Sequence, residues 1–182
     1  VLAATLQAVS GAGYPGVPSL DMIDNIVPYI PGEEEKIETE AQKLLGTWSD
    51  GAFAPASFAL SAHCNRVPVR DGHTECASVR LARPATPAEA IEAFESFRGL
   101  PQELNLPSAP AQPVIVRREA NRPQPSLDRD DANGMASIVG RVRECPLMGL
   151  KFVVLGHNTV RGAAGASILN AELFREQGLL PA

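Results

Sequence analysis

Arg66 and His73 stand seven residues apart in Ala62-His-Cys-Asn-Arg-Val-Pro-Val-Arg-Asp-Gly-His-Thr-Glu75. A guanidinium grips a carboxylate through two parallel hydrogen bonds, and an imidazole exchanges a proton near neutral pH. The pair therefore suits a site that holds an anionic substrate and moves a proton beside it. On one straight strand this odd spacing sends two side chains to opposite faces. Pro68 and Gly72 break the strand, so the two side chains can converge across the bend. By residue type alone they fit better as a surface arginine and a histidine satisfied in a hairpin.

Other candidates are weaker. Glu40 and Lys43 lie three apart on an expected helix and share a face. They could clamp a zwitterion, the carboxylate taking an ammonium and the lysine a phosphate, but such pairs are ordinary on solvated helices. Gly11-Ala-Gly-Tyr-Pro-Gly16 fits G-x-G-x-x-G after a strand. Pro15 and Pro18 prevent a helix from opening there, so a dinucleotide fingerprint is rejected. A tight turn of small residues remains, which lets backbone approach a ligand closely. Cys64 neighbours His63, but it is expected to face the side of its strand opposite Arg66 and so is a poor candidate for a thiol nucleophile. His157-Asn158-Thr159 either offers polar groups to a cofactor or caps the last helix.

These residues need a scaffold. Strands are expected at 1–9, 57–67, 74–81, 114–116, 136–144 and 150–156, with 57–67 and 74–81 joined across the bend. Helices are expected at 20–29, 33–45, 86–97 and 160–177. Glu33 to Glu35 suit the positive end of the second helix and Gly46 its C-cap. Thr86-Pro87 supplies an N-cap and a proline at the first helical position of the third. The segments 99–113 and 121–134 read as irregular. The pattern predicts an α+β fold: a mixed, largely antiparallel sheet with helices on one face.

The 182 residues suffice for one domain, and 45% apolar with 20% charged reads as globular. A net charge of −5 argues against a nucleic-acid partner, and no apolar run has the length of a membrane span. No signal peptide is evident, and three cysteines without metal-type spacing fit a cytoplasmic protein. Val1 already lies in an expected strand without a methionine, so the chain is expected to be a fragment of something longer.

Four motifs now accumulate: Gln7-Ala-Val-Ser-Gly-Ala-Gly-Tyr-Pro-Gly16, Gly32-Glu-Glu-Glu-Lys-Ile-Glu-Thr-Glu-Ala-Gln-Lys43, Cys64-Asn-Arg-Val-Pro-Val-Arg-Asp-Gly-His73 and Asn158-Thr-Val-Arg-Gly-Ala-Ala-Gly165. Arg122-Pro-Gln-Pro-Ser-Leu-Asp-Arg129 adds a fifth. In this order, across nearly the whole chain, they resemble the C-terminal half of the aspartate-semialdehyde dehydrogenases of fungi and archaea. That resemblance implies a glyceraldehyde-3-phosphate dehydrogenase-like C-terminal domain over 1–157. It also implies a final helix, 158–182, that packs on a nucleotide-binding domain.

The resemblance also implies roles. His73 is the acid/base histidine and Gln7 the active-site glutamine. Arg66 binds the substrate α-carboxylate, Glu40 the amino group, and Lys43 lies near the phosphate. Ser10, Gly11 and Gly13 border the nicotinamide of NADP, and Asn158 returns toward it. The substrate is aspartyl phosphate and the partner a second copy of the chain. In such a family a cysteine in a Pro-Asn-Cys segment attacks the acyl phosphate, and hydride then yields the semialdehyde. No such segment occurs here. The resemblance places it, with the nucleotide fold, ahead of Val1, and the chain alone is expected to be inactive. Rival readings are a malonyl-CoA reductase, an N-acetyl-glutamyl-phosphate reductase, or a non-catalytic association module.

Overall fold

The computed structural model describes residues 1–179; positions 180–182 of the expected 158–182 segment lie outside them. Six strands form one sheet in the order β4-β1-β5-β8-β7-β6. They are β1 (Leu2–Gln7), β4 (Ser61–Arg66), β5 (His73–Val79), β6 (Val114–Arg117), β7 (Ser137–Cys145) and β8 (Gly149–Gly156). The outer pairs β1–β4 and β6–β7 are parallel, and the inner three pairings are antiparallel. The sheet is thus mixed and largely antiparallel, as expected.

One pairing departs from expectation. β4 and β5 do not lie side by side, because β1 is inserted between them. The linking bend wraps the end of β1 instead, with Val67 N–H donating to Gln7 O and Val9 N–H to Val69 O. This insertion brings Gln7, Arg66 and His73 to one end of three adjacent strands.

The helix α1 is only Ser19–Met22, shorter than the expected 20–29, since Asp24 turns to a positive φ of 57° and Pro28 follows. α2 runs Glu33–Leu44 from Gly32, which is left-handed at φ 72°. Its capping residue is Leu45 rather than Gly46. Gly46 serves a different purpose: a Cβ there would strike the Ala54 carbonyl. That carbonyl belongs to a hairpin not anticipated above, β2 (Thr47–Ser49) and β3 (Ala52–Ala54). Asp50 and Gly51 turn it with positive φ at both positions, the geometry that an Asp-Gly pair favours. Trp48 and Phe53 pack edge-to-face across it at 5.0 Å.

α3 (Pro87–Ser96) starts with a capping box in which Thr86 and Glu89 satisfy each other's backbone N–H groups. It packs on β6 and β7 and sets Phe94 against Phe152, 5.4 Å between centroids. Register carries Phe152 across Ala77 to Ala3, so α3 lies on the face to which Thr5 and Gln7 point. Short helices α4 (Leu100–Glu103) and α5 (Pro125–Asp128) interrupt the two irregular segments. The last helix begins as a π turn over Val160–Ala164 and continues as α6 (Gly165–Glu176). Leu169 buries against Leu106 and Met135, while Ile168 and Phe174 stay exposed.

α2 guards the outer edge of the sheet. The Ala62 and Cys64 N–H groups point outward from β4 and donate to Glu38 and Glu34 at 2.9 and 2.8 Å. Arg66 exchanges both backbone bonds with Val27. Three successive outward donors of an edge strand are therefore satisfied without a further strand. On the opposite face, segment 122–134 covers one end of the sheet and Gly140 makes room for the Arg122 carbonyl. Asp128, fully buried, pins that segment through Arg117, Arg122 and the Gln124 N–H. Burial alone would raise its carboxyl, but these donors and the two arginines hold it below the usual carboxylate range. The other end of the face is open, with Leu2 45% and Leu6 37% exposed.

Candidate active site

A cleft of about 700 Å³ lies where β1, β4 and the bend end. Its walls include Gln7, Arg66 and His73 from the sheet, Glu33 and Lys36 from the first turn of α2, and Asn158. Arg66 is buried at 6% exposure and donates from Nη1 to the Ala8 carbonyl at 2.7 Å. His73 accepts at Nδ1 from the Ala8 N–H at 3.1 Å. Both cleft side chains therefore rest on the backbone of one fully buried residue. Gly11 makes this possible, because a Cβ there would sit 3.0 Å from Arg66 Nη1 and 3.1 Å from the His73 ring.

Charge alternates around the cleft. Glu33 accepts from Gln7 Nε2 at 3.3 Å with one oxygen and pairs with Lys36 at 3.4 Å with the other. Burial pushes the Arg66 guanidinium below its ordinary value, and Glu33 opposes that shift. Burial and the nearby Arg66 charge push His73 from 6.5 down to about 4, with Glu33 again opposing. The ring is neutral at neutral pH. Two cations, one carboxylate and a neutral imidazole suit a small molecule bearing both anionic groups and an ammonium.

Asn158 ties three segments together. Its Oδ1 accepts from Gly72 N–H and its Nδ2 donates to Ser10 Oγ, both at 2.9 Å. Ser10 thus holds the turn through Asn158 rather than lining the cleft, which Gly11 does. Gly13 is exposed and outside the cleft.

The structure does not bring Glu40 and Lys43 into the cleft. Both are exposed two helical turns farther along α2, where Lys43 Nζ lies 5.7 Å from the Phe53 ring centroid. The positions that reach the cleft are Glu33 and Lys36, an identically spaced pair seven residues earlier. The spacing was visible twice in the sequence, and only the location of the sheet end distinguishes the copies. No cysteine lines the cleft. Cys64 lies buried on β4 two residues before Arg66, so it shares Arg66's face of the sheet instead of facing away as expected, and burial pushes its thiol up; Cys76 is exposed on β5, and Cys145 ends β7. Among the described residues no cluster of metal-ligating side chains occurs.

The family described as semialdehyde dehydrogenase, dimerisation domain, matches residues 1–161. The aspartate-semialdehyde dehydrogenase of Methanothermobacter thermautotrophicus is 58% identical over 178 residues, 97% of this chain and 51% of that protein. That of Cryptococcus neoformans is 52% identical over 187 residues, covering 99% of this chain and 51% of that protein. Among solved structures, the Candida albicans aspartate semialdehyde dehydrogenase with NADP superposes with a TM-score of 0.89 at 45% identity. It covers 98% of this chain and 51% of that one. The chain spans about half the length of the relatives it matches. Fold, motif order and relatives agree: the chain belongs to the dimerisation-domain family of the semialdehyde dehydrogenases.

Proposed function

We propose that this chain is the substrate-holding and self-associating half of an NADP-dependent aspartate-semialdehyde dehydrogenase that reduces aspartyl 4-phosphate. The observation that carries the reading is the alternation of Arg66, Glu33 and Lys36 around His73 in one cleft. Arg66 takes the α-carboxylate by a two-pronged contact. Glu33 takes the ammonium, in the place first expected for Glu40. Lys36 offsets phosphate charge, in the place expected for Lys43. Gln7 steadies Glu33 by its side-chain amide. Held in this way, the acyl carbon is presented toward His73.

The small residues Gly11, Ala12 and Gly162 leave one wall of the cleft free of bulk, which fits a flat ring. They and Asn158 are the groups that would hold the NADP cofactor, whose reduced form would supply hydride when bound. With no cysteine in the cleft, the sulfur nucleophile belongs to polypeptide outside this chain. The exposed Ile168 and Phe174 of α6 suit contact with that same missing part. The open sheet face with Leu2 and Leu6 suits a second copy of the chain. No helix among the described residues is long and apolar enough to cross a membrane, and three free thiols agree with a cytoplasmic setting.

The test is reconstitution. Mixed with the nucleotide-binding half of the Methanothermobacter thermautotrophicus relative, the chain should support NADPH formation that needs both aspartate semialdehyde and phosphate. A mixture that turns over malonyl semialdehyde instead would overturn the substrate assignment.

A further inference from the structure

We propose that Arg129 is a positioning residue for His73: together with Asn158 it locks the peptide group between Asp71 and Gly72, immediately ahead of the imidazole. The inference rests on the functional reading above and adds to it a side chain that lies outside the cleft.

The peptide group joining Asp71 to Gly72 is planar, so its carbonyl and its N–H turn together. Both ends are held. The Asp71 carbonyl accepts from Arg129 Nη1 at 3.3 Å, and the Gly72 N–H donates to Asn158 Oδ1 at 2.9 Å. The two holders come from different parts of the chain, Arg129 from the end of α5 and Asn158 from just after β8. The grip matters because of where this peptide lies. Turning it changes ψ of Asp71 and φ of Gly72, and Gly72 sits at φ 99°, in the region that favours glycine. His73 follows directly and opens β5. An unheld plane at this point would leave the imidazole on a hinge.

Packing removes more of the freedom. A Cβ at Gly72 would lie 3.3 Å from Pro125 Cβ and 3.4 Å from Arg129 Cβ, so the bend rests directly on segment 122–134. That segment is itself fixed by Asp128, the neighbour of Arg129, fully buried and bonded to Arg117, Arg122 and the Gln124 N–H. The Arg129 guanidinium also lies 3.7 Å from Asp130, whose side chain is 77% exposed. An ion pair in that setting contributes little. The bond to the Asp71 carbonyl is therefore the contact through which Arg129 acts. The groups that grip the substrate stand elsewhere, Arg66 on β4 with its backbone bonded to Val27, Glu33 and Lys36 on α2. Loss of Arg129 should thus disturb His73 and spare the grip.

The reconstituted mixture separates these effects. Arg129→Met keeps the stem that packs on Gly72 and removes the donors. It should lower kcat by roughly 10- to 100-fold, while KM for aspartate semialdehyde stays within about twofold. Asp130→Asn should match the parent. An unchanged kcat, a rise in KM as large as the fall in kcat, or an equal loss in Asp130→Asn would overturn the proposal. ¹⁵N relaxation dispersion on the chain supplies a reading that needs no turnover. The Gly72 and His73 amides should show no microsecond-to-millisecond exchange in the parent and clear exchange in Arg129→Met. Exchange at these amides in the parent, or a variant as quiet as the parent, would also overturn it. If Arg129→Met does not fold, the parent spectrum alone decides. A parent mixture without turnover sinks the functional reading and leaves the relaxation test intact.

Discussion

The side chains that define the cleft are few, and their geometry gives sharp expectations. Arg66→Lys keeps the charge but loses the planar fork and the bond to the Ala8 carbonyl. It should lower kcat/KM of the reconstituted enzyme by roughly 100-fold, about 2–3 kcal/mol. Lys43→Ala, two turns outside the cleft, should leave kcat/KM unchanged; steady-state assays of both variants check the contrast. The convergence of Arg66 and His73 was only partly legible in the sequence: the Pro/Gly bend allowed it, but residue type favoured a hairpin, and β1 separates the two strands. The clamp on α2 was half legible. Its spacing pointed to the right residue types, but Glu33/Lys36 and Glu40/Lys43 differ only in distance from the sheet. That distance depends on where α2 begins beside the end of β4. The role of Ala8 was invisible, because it resides in backbone groups that every residue possesses.

At the level of elements, the signals that survived were local ones. Thr86, Pro87 and Glu89 fix the start of α3 by chemistry confined to one turn. The Asp50-Gly51 hairpin carried an equally local signal, yet its strands are three residues each and lie outside the main sheet. The insertion of β1 between β4 and β5 had no local signature, since a parallel neighbour is chosen by contacts about sixty residues apart. The segment over the far end of the sheet depends on Asp128. Asp128→Ala leaves Arg117 and Arg122 without their buried partner, and should cost about 3–5 kcal/mol of stability. Urea unfolding of the variant against the parent measures this.

For the molecule as a whole, acid should weaken folding through His73. The unfolded ring takes a proton near 6.5, whereas the folded ring waits until about 4. Between those values the unfolded state binds more protons, so stability falls as pH drops through that window and is flat above it. The gap amounts to about 3 kcal/mol. Denaturant midpoints from pH 7.5 to pH 4 test it, with His73→Gln expected to flatten the slope. The proposed self-association belongs to this scale too. Leu6→Glu sets a carboxylate on the open face and should convert the assembly to monomer in sedimentation, with the circular dichroism of the parent retained.

The two glutamates of α2 that cap β4 have a bearing on how copies of this chain meet. With Ala62, Cys64 and Arg66 already engaged, no strand from a neighbour finds a row of vacant donors along that border. Growth by lateral addition, the route that leads to fibres, is stopped there. In the proposed pairing, the open side bearing Leu2 and Leu6 rather than the β4 border would then meet a second copy, a contact that a twofold axis satisfies once.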